Sequence, residues 1–414
     1  MEQAMIAAVV TDLGARLQIG VLREAAEGER RVALTPDGVS RLKGLGLDVV
    51  IAAGAGEAAW FDDAVYLAAG ARVCDEADIF ACDLLLCVGP PKAVGQALLR
   101  PGQVLIGLLA PLIDPQLALT LAQAKVTVIS LDGLPRTLSR AQSMDALSSQ
   151  ANVAGYKAAL VGADTYGSYF PMLMTAAGTI RPATVLVVGA GVAGLQAIGT
   201  ARRLGAIVTG YDVREAARAD VLSLGAKFLD LDSASAGAPV SASGAGGYAR
   251  ELTEQEKATQ QTAMVSAVAS FDVVITTAQV PGRRPPVLIS AAAVAGMQAG
   301  SVIVDLAASQ FGGNVDGSQP GQTTVTGNGV TIIGAPNLAA EMPRAASVAY
   351  SRNMCALLAH LVKDSELVLD AADEITAGVL ISHDGAVVHP GVLARLAHIT
   401  TTTEGQTHDA DAVR

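Results

Sequence analysis

Apolar residues in this chain come in short clusters, several of them interrupted by a single Gln, Gly, Thr or Ser. Residues 17–21, 48–52, 84–88, 104–109 and 126–131 form such clusters, separated by segments with helical spacing and turn formers. Runs of this length read as strands buried on both faces. Strands alternating with helices predict a parallel sheet covered on each side. Thr35-Pro36 marks one helix start, an N-cap residue followed by proline at the first helical position. After a helix expected over residues 148–163, the pattern resumes at 184–188, 207–211, 273–277, 302–306 and 330–333. The fold class expected is therefore α/β with two doubly wound parallel-sheet domains, and 414 residues suit two domains better than one.

Two stretches break the pattern. Residues 232–247 are rich in Ser, Ala and Gly, and end in Ser243-Gly244-Ala245-Gly246-Gly247-Tyr248. They read either as a surface insertion or as a lid over a ligand. From Thr400 onward periodicity is lost, and a disordered tail is expected. Trp60 is expected in the core or an interface, and Met172 and Met174 as core filler.

Composition narrows the partners. Half of the residues are hydrophobic (51%) yet only 3% are aromatic, so Ala and Gly carry much of the apolar count. No run approaches the ~18 uninterrupted apolar residues a spanning helix takes. The first residues lack the basic segment of a secretory signal. A net charge of -11 argues against nucleic acid. Cys74, Cys82, Cys87 and Cys355 have neither CxxC nor metal-ligand spacing, and the five histidines are scattered. Reduced thiols, a cytoplasmic location and no metal site are expected.

The strongest local chemistry is Gly189-Ala190-Gly191-Val192-Ala193-Gly194, which follows one expected strand and opens a helix. In such a G-x-G-x-x-G turn, Gly189 makes the bend, Gly191 lets a pyrophosphate approach the backbone, and Gly194 lets helix and strand pack closely. The helix N-terminus supplies N–H groups and partial positive charge. Asp212 ends the next strand, 23 residues after Gly189, followed by Val213 and Arg214. A carboxylate there accepts hydrogen bonds from the adenosine ribose and repels a 2′-phosphate, which favours NAD(H). Arg214 is the residue that could hold a 2′-phosphate instead.

With this Rossmann-type fingerprint placed, three further motifs acquire meaning. Glu29-Arg30-Arg31-Val32-Ala33-Leu34-Thr35-Pro36, Gly54-Ala55-Gly56-Glu57 and Thr276-Thr277-Ala278-Gln279-Val280-Pro281-Gly282-Arg283 resemble signatures shared by alanine dehydrogenases and transhydrogenase α subunits. The resemblance runs from about residue 20 to 361. Where alanine dehydrogenases carry a lysine, a histidine and an aspartate for amino-acid chemistry, this chain has Cys87, Ala110 and Ser309, and keeps only Arg31. Residues 135–150 are similar to the transhydrogenase loop that holds the dihydronicotinamide. That similarity implies Arg136, Gln142, Asp145 and Ser148 as the catalytic loop. It also implies cofactor contacts from residues 189–194, Asp212, Val213, Arg214, Gly247, Tyr248, Ala278 and Gln279, with Tyr248 on a loop that folds over NAD(H). The stretch from Pro135 to Arg140 is one residue longer than the family's pattern, so Arg136 and Arg140 compete for one role. Residues 308–314 are also one longer.

The resemblance implies two Rossmann-like domains: residues 1–147 closed by 336–365, and an NAD(H)-binding unit at 148–335. Residues 366–414 are left as a C-terminal extension, largely a disordered tail. It further implies NAD(H) in the cleft between the domains and direct hydride exchange with NADP(H) on a β subunit. The whole would be a proton-translocating assembly: a homodimer of this chain, cytoplasmic, peripheral to the inner membrane through a membrane-spanning subunit and not itself inserted. Two alternatives stand beside it: an NAD-dependent amino-acid dehydrogenase of the alanine type, and a non-catalytic NAD-binding protein.

Overall fold

A computed structural model describes residues 9–10, 17–231, 253–279 and 284–399. Gly247, Tyr248 and the expected tail from Thr400 lie outside the described residues. The described chain falls into two compact units that divide at Ser149/Gln150 and at Met342/Pro343. The second seam lies beyond the expected 335/336 because Leu338 is buried in the second unit's core and Glu341 pairs with Lys157 at 3.2 Å.

The main sheet of the first unit contains six strands from its N-terminal part: β1 (Gln18–Val21), β2 (Asp48–Ala52), β3 (Arg72–Cys74), β4 (Leu84–Leu86), β5 (Val104–Gly107) and β6 (Thr127–Ser130). They are parallel, in the order β3-β2-β1-β4-β5-β6. Leu84, Leu85 and Leu86 are all fully buried, as the unbroken apolar run requires of a sheet covered on both faces. Helix α1 (Pro36–Gly44) starts at an extended Thr35 with proline in its first turn. The Thr35 hydroxyl does not cap it, however, but donates to Ser351 Oγ at 3.1 Å. Proline and backbone conformation alone set this helix start.

Helix α2 (Ala146–Thr165) carries the chain into the second unit. A short hairpin follows, β7 (Leu173–Thr175) and β8 (Gly178–Ile180). Here Met172 and Met174 are 56% and 73% exposed, so they are not core filler. Trp60, in the first unit, is 62% exposed and has a left-handed φ of 61°, so it is not core either. The second sheet contains β9 (Thr184–Val188), β10 (Ile207–Tyr211), β11 (Lys227–Phe228), β12 (Val273–Thr276), β13 (Val302–Asp305), β14 (Thr323–Val325) and β15 (Thr331–Gly334). Its order is β11-β10-β9-β12-β13-β15-β14, parallel except for β14. Helix α3 (Val192–Arg203) joins β9 to β10, and α4 (Glu254–Val268) precedes β12. In both sheets strand order reverses between the first strand and the fourth. That topological switch point is where doubly wound folds open a crevice at the carboxyl ends of their strands.

Helix α5 (Pro343–Leu361) returns the chain to the first unit. Of the strands that follow, β16 (Leu380–His383) and β17 (Ala386–Val387) extend the first sheet from its β6 edge, β16 lying antiparallel to β6. Residues 366–399 are therefore not a tail. Leu367, Leu369, Ile375, Val379 and Ile381 are buried in the first unit's core, and residues 390–399 are helical. No helix among the described residues is long and apolar enough to cross a membrane. All four cysteines are unbridged.

Candidate functional site

At the switch point of the second sheet, β9 runs into the glycine turn. Gly189 has φ +97°, where only glycine is unstrained, and a Cβ there would lie 2.7 Å from Thr277 Oγ1. Thr277 Oγ1 in turn donates to the Gly189 carbonyl at 2.9 Å. A Cβ at Gly194 would fall 1.8 Å from that same carbonyl oxygen, so the first turn of α3 must be bare to pack against the bend. Gly191 differs from both. Its φ is -80° and a Cβ would meet no atom of the described residues within 4 Å. Neither strain nor crowding among those residues calls for glycine there; the space it leaves is open. Facing the turn, the N–H groups of Val192 and Ala193 open α3 and have no carbonyl of their own helix to pair with. An open glycine beside free helix N–H groups is a seat for a phosphate-sized anion.

Asp212 follows β10, and its carboxylate is nearly enclosed, with 6% of the side chain exposed. Oδ2 accepts from Ala190 N at 2.8 Å, which ties the residue to the glycine turn. Oδ1 accepts from Arg214 N at 2.8 Å. The Arg214 guanidinium adds a fork, Nε to Oδ1 at 2.9 Å and Nη2 to Oδ2 at 2.8 Å. This hydrogen-bonding holds the Arg214 pKa above its usual value against the opposing effect of burial. The guanidinium is thus committed to Asp212 rather than extended toward a 2′-phosphate. Val213 turns toward the apolar core behind the sheet. Beside Asp212 lies a small cavity of about 60 Å³, lined by residues that include Tyr211, Phe228, Asp230, Glu256 and Gln260.

Ala278 and Gln279 extend from β12. Ala278 N donates to Asn314 Oδ1 at 2.9 Å, and Asn314 Nδ2 returns a bond to the Ala278 carbonyl at 2.9 Å. Gln279 Nε2 donates to the Leu306 carbonyl at 2.7 Å. Asn314 and the fully buried Asp305, which accepts from Thr276 Oγ1 at 2.8 Å, hold these strand ends together. Sequence reasoning missed both. Their signal was positional: Asp305 ends one strand beside the switch point, and Asn314 closes the loop that follows it.

The expected loop of the first unit organises around one carboxylate. Asp145 Oδ1 accepts from Ser148 N at 2.8 Å, three residues on, and so caps α2. Asp145 Oδ2 accepts from Arg136 Nε at 2.9 Å and from Ser148 Oγ at 2.6 Å. Arg136 Nη2 also donates to Ser148 Oγ at 2.6 Å. Arg136, Asp145 and Ser148 therefore form a closed triangle, with the Arg136 side chain 26% and the Asp145 side chain 12% exposed. Arg140 turns elsewhere, to Asp373 at 2.7 Å and Glu374 at 3.3 Å. The pair with Asp145 belongs to Arg136. Gln142 stands exposed on the same loop, its side chain without a hydrogen-bond partner among the described residues. Behind it, Asn353 Nδ2 on α5 donates to the Ser143 carbonyl at 2.8 Å and supports the turn.

None of the three altered dehydrogenase positions offers a group that could exchange a proton near neutrality. Cys87 is fully buried, and burial pushes its thiol well above the usual range. Ala110 has no polar side chain, and Ser309 Oγ donates to the Gly312 carbonyl at 2.9 Å. Arg31 is held by Glu29 through Nε at 2.7 Å and Nη2 at 2.6 Å. At the first sheet's switch point stands an unexpected carboxyl, Glu24, which accepts from Val88 N at 2.6 Å and Gly89 N at 3.3 Å. Burial raises its pKa to about 7. No cluster of metal-ligand type occurs among the described residues.

Residues 20–154 match the family described as "Alanine dehydrogenase/PNT, N-terminal domain", and residues 158–390 match its C-terminal counterpart. The chain is 41% identical over 385 residues to the first part of the NAD(P) transhydrogenase subunit alpha of Rhodospirillum rubrum, covering 91% of this chain and 99% of that protein. Identity to "Alanine dehydrogenase" of Mycobacterium tuberculosis is 31% over 390 residues, covering 92% and 97%. Among solved structures, a transhydrogenase from Sinorhizobium meliloti superposes with a TM-score of 0.80 at 40% identity, over 90% of this chain and all (100%) of that one. With both halves matched in order, this chain belongs to the alanine dehydrogenase/PNT family.

Proposed function

We propose that the chain is the NAD(H)-binding component of a proton-translocating NAD(P) transhydrogenase, exchanging hydride directly with NADP(H) bound on a β-type partner subunit. The observation that carries this reading is the Arg136–Asp145–Ser148 triangle beside an exposed Gln142. It is an arrangement that can orient an amide. Hydride exchange between two nicotinamides calls for orientation of two carbon atoms and not for proton transfer. The bound dinucleotide supplies the hydride; the protein supplies its position.

The residues present fit a dinucleotide. Gly191 leaves the open space a pyrophosphate needs, and the N–H groups of Val192 and Ala193 would hold it. Asp212 would receive the adenosine ribose. Ala278 and Gln279 would line the nicotinamide end. Arg136, Asp145 and Ser148 would fix the carboxamide, and Gln142 would face the partner's nucleotide. The exposed apolar side chains of Tyr169, Met172, Met174 and Ile180, on and beside the β7–β8 hairpin, support a homodimer. We place this assembly at the cytoplasmic face of the inner membrane, attached through a membrane-spanning subunit.

The dehydrogenase alternative loses ground at Cys87, Ala110 and Ser309. The test is direct: isolated chain with NAD and L-alanine should give no NADH above background, while NADH binding is readily measured. An enzyme-proportional rate with alanine would replace this proposal with the dehydrogenase reading. NADH binding without transfer to a complementary NADP(H)-binding subunit would leave only a nucleotide-binding protein.

A further inference from the structure

The Asp212 carboxylate has no acceptor capacity to spare. A carboxylate offers about four lone-pair sites, and four donors take them: the backbone N–H groups of Ala190 and Arg214, and the two arms of the Arg214 fork. The backbone donors are fixed by the glycine turn and by the chain itself. Only the guanidinium can leave. It presents two N–H groups to two carboxylate oxygens, which is also what the vicinal hydroxyls of a ribose present. The alternation Asp212-Val213-Arg214, with Val213 turned into the core, is what brings the two charged side chains to one side of the strand end.

We propose that Arg214 tunes the specificity of the adenosine side as an internal occupant of the ribose position that an incoming nucleotide must displace. This rests on the reading of the second unit as an NAD(H) site. Two consequences follow. Displacing the fork lowers affinity for every nucleotide that uses Asp212. The displaced guanidinium, still attached next to the ribose, also offsets the repulsion between Asp212 and a 2′-phosphate. Arg214 therefore narrows the preference for NAD(H) over NADP(H), although Asp212 sets its direction.

The test uses equilibrium titration of the full chain with ADP-ribose and 2′-phospho-ADP-ribose. These probes lack nicotinamide and report the adenosine side alone. Arg214→Met keeps the apolar stem and removes the fork. Removing a partly exposed ion-paired competitor is expected to tighten ADP-ribose by about fivefold, and 2′-phospho-ADP-ribose should weaken. Arg214→Lys keeps the charge without the fork; it should tighten ADP-ribose and hold 2′-phospho-ADP-ribose near the parent value. Should the methionine variant fail to fold by thermal melt, the lysine variant decides alone. Unchanged or weaker ADP-ribose binding in a folded variant overturns the proposal while leaving the NAD(H) site standing. A parent chain that binds neither probe nor NADH overturns both.

Discussion

Arg136 donates to the same carboxylate that caps helix α2: Asp145 receives the guanidinium on Oδ2 at 2.9 Å and the Ser148 amide on Oδ1 at 2.8 Å. Loop and helix are thereby locked by one residue, and the arginine's position follows from a helix start. The cap fixes Asp145, and Asp145 with Ser148 fixes Arg136.

That coupling separates stability from transfer. Asparagine caps about as well as aspartate, so Asp145→Asn should change unfolding free energy by less than about 1 kcal/mol. It removes the charge that holds Arg136, and NADH binding and transfer should both fall. Gln142→Asn should leave NADH affinity near the parent value but lower transfer to the partner's nucleotide, by up to about 100-fold for a shift on the order of 1 Å. Urea melts, NADH titration and stopped-flow transfer on both variants check this. Equal losses in binding for the two would remove the distinction between them.

The two glycines of the turn make opposite predictions. Gly194→Ala places a methyl 1.8 Å from the Gly189 carbonyl oxygen, and should destabilise the second unit by about 1–3 kcal/mol. Gly191→Ala meets no atom of the described residues within 4 Å, so melting should be unchanged, yet NADH should bind at least tenfold more weakly because the methyl occupies the pyrophosphate's approach. Melting curves and titrations on the pair are sufficient. If Gly191→Ala binds NADH as tightly as the parent, the anion seat is elsewhere.

Glu24 gives a pH prediction with a definite sign. Burial raises its pKa from 4.5 to about 7, with Glu29 adding to the rise and the amides of Val88 and Gly89 and the charge of Arg31 opposing it. The folded state therefore keeps a proton that the unfolded chain releases near pH 4.5. The stability this group allows is complete below the unfolded pKa and is lost as pH rises toward 7, a change of about 3 kcal/mol. Glu24→Gln should abolish that decline and leave the protein more stable than the parent at pH 8. Denaturant melts from pH 5 to pH 8 measure it; parallel pH profiles for parent and variant would contradict the assignment.

Most of the sheet framework was legible because parallel strands buried on both faces leave apolar runs, as at Leu84–Leu86 and residues 185–188. The end of the first unit was not. Strand β16 is four residues long, and it is held as a strand by pairing with β6, some 250 positions away, and with the two-residue β17. Met172 and Met174 misled because an apolar residue on an exposed hairpin has the same letter as one in a core. In the candidate site, the glycines and Asp212 could be read from spacing. The choice between Arg136 and Arg140 could not, since it depends on Asp373 and Glu374 drawing Arg140 away. The Arg214 fork and the buried Glu24 are likewise tertiary facts, invisible to any local pattern.

The proposed direct passage of hydride from one nicotinamide to another can be followed with an isotope. The measurement is transfer from NADH deuterated at C4, on the face that is donated, to NADP on the complementary subunit in ordinary water, with the product analysed by mass spectrometry. Deuterium should appear in the reduced product without dilution. No transfer, or a product whose label has been exchanged for solvent hydrogen, would contradict direct exchange.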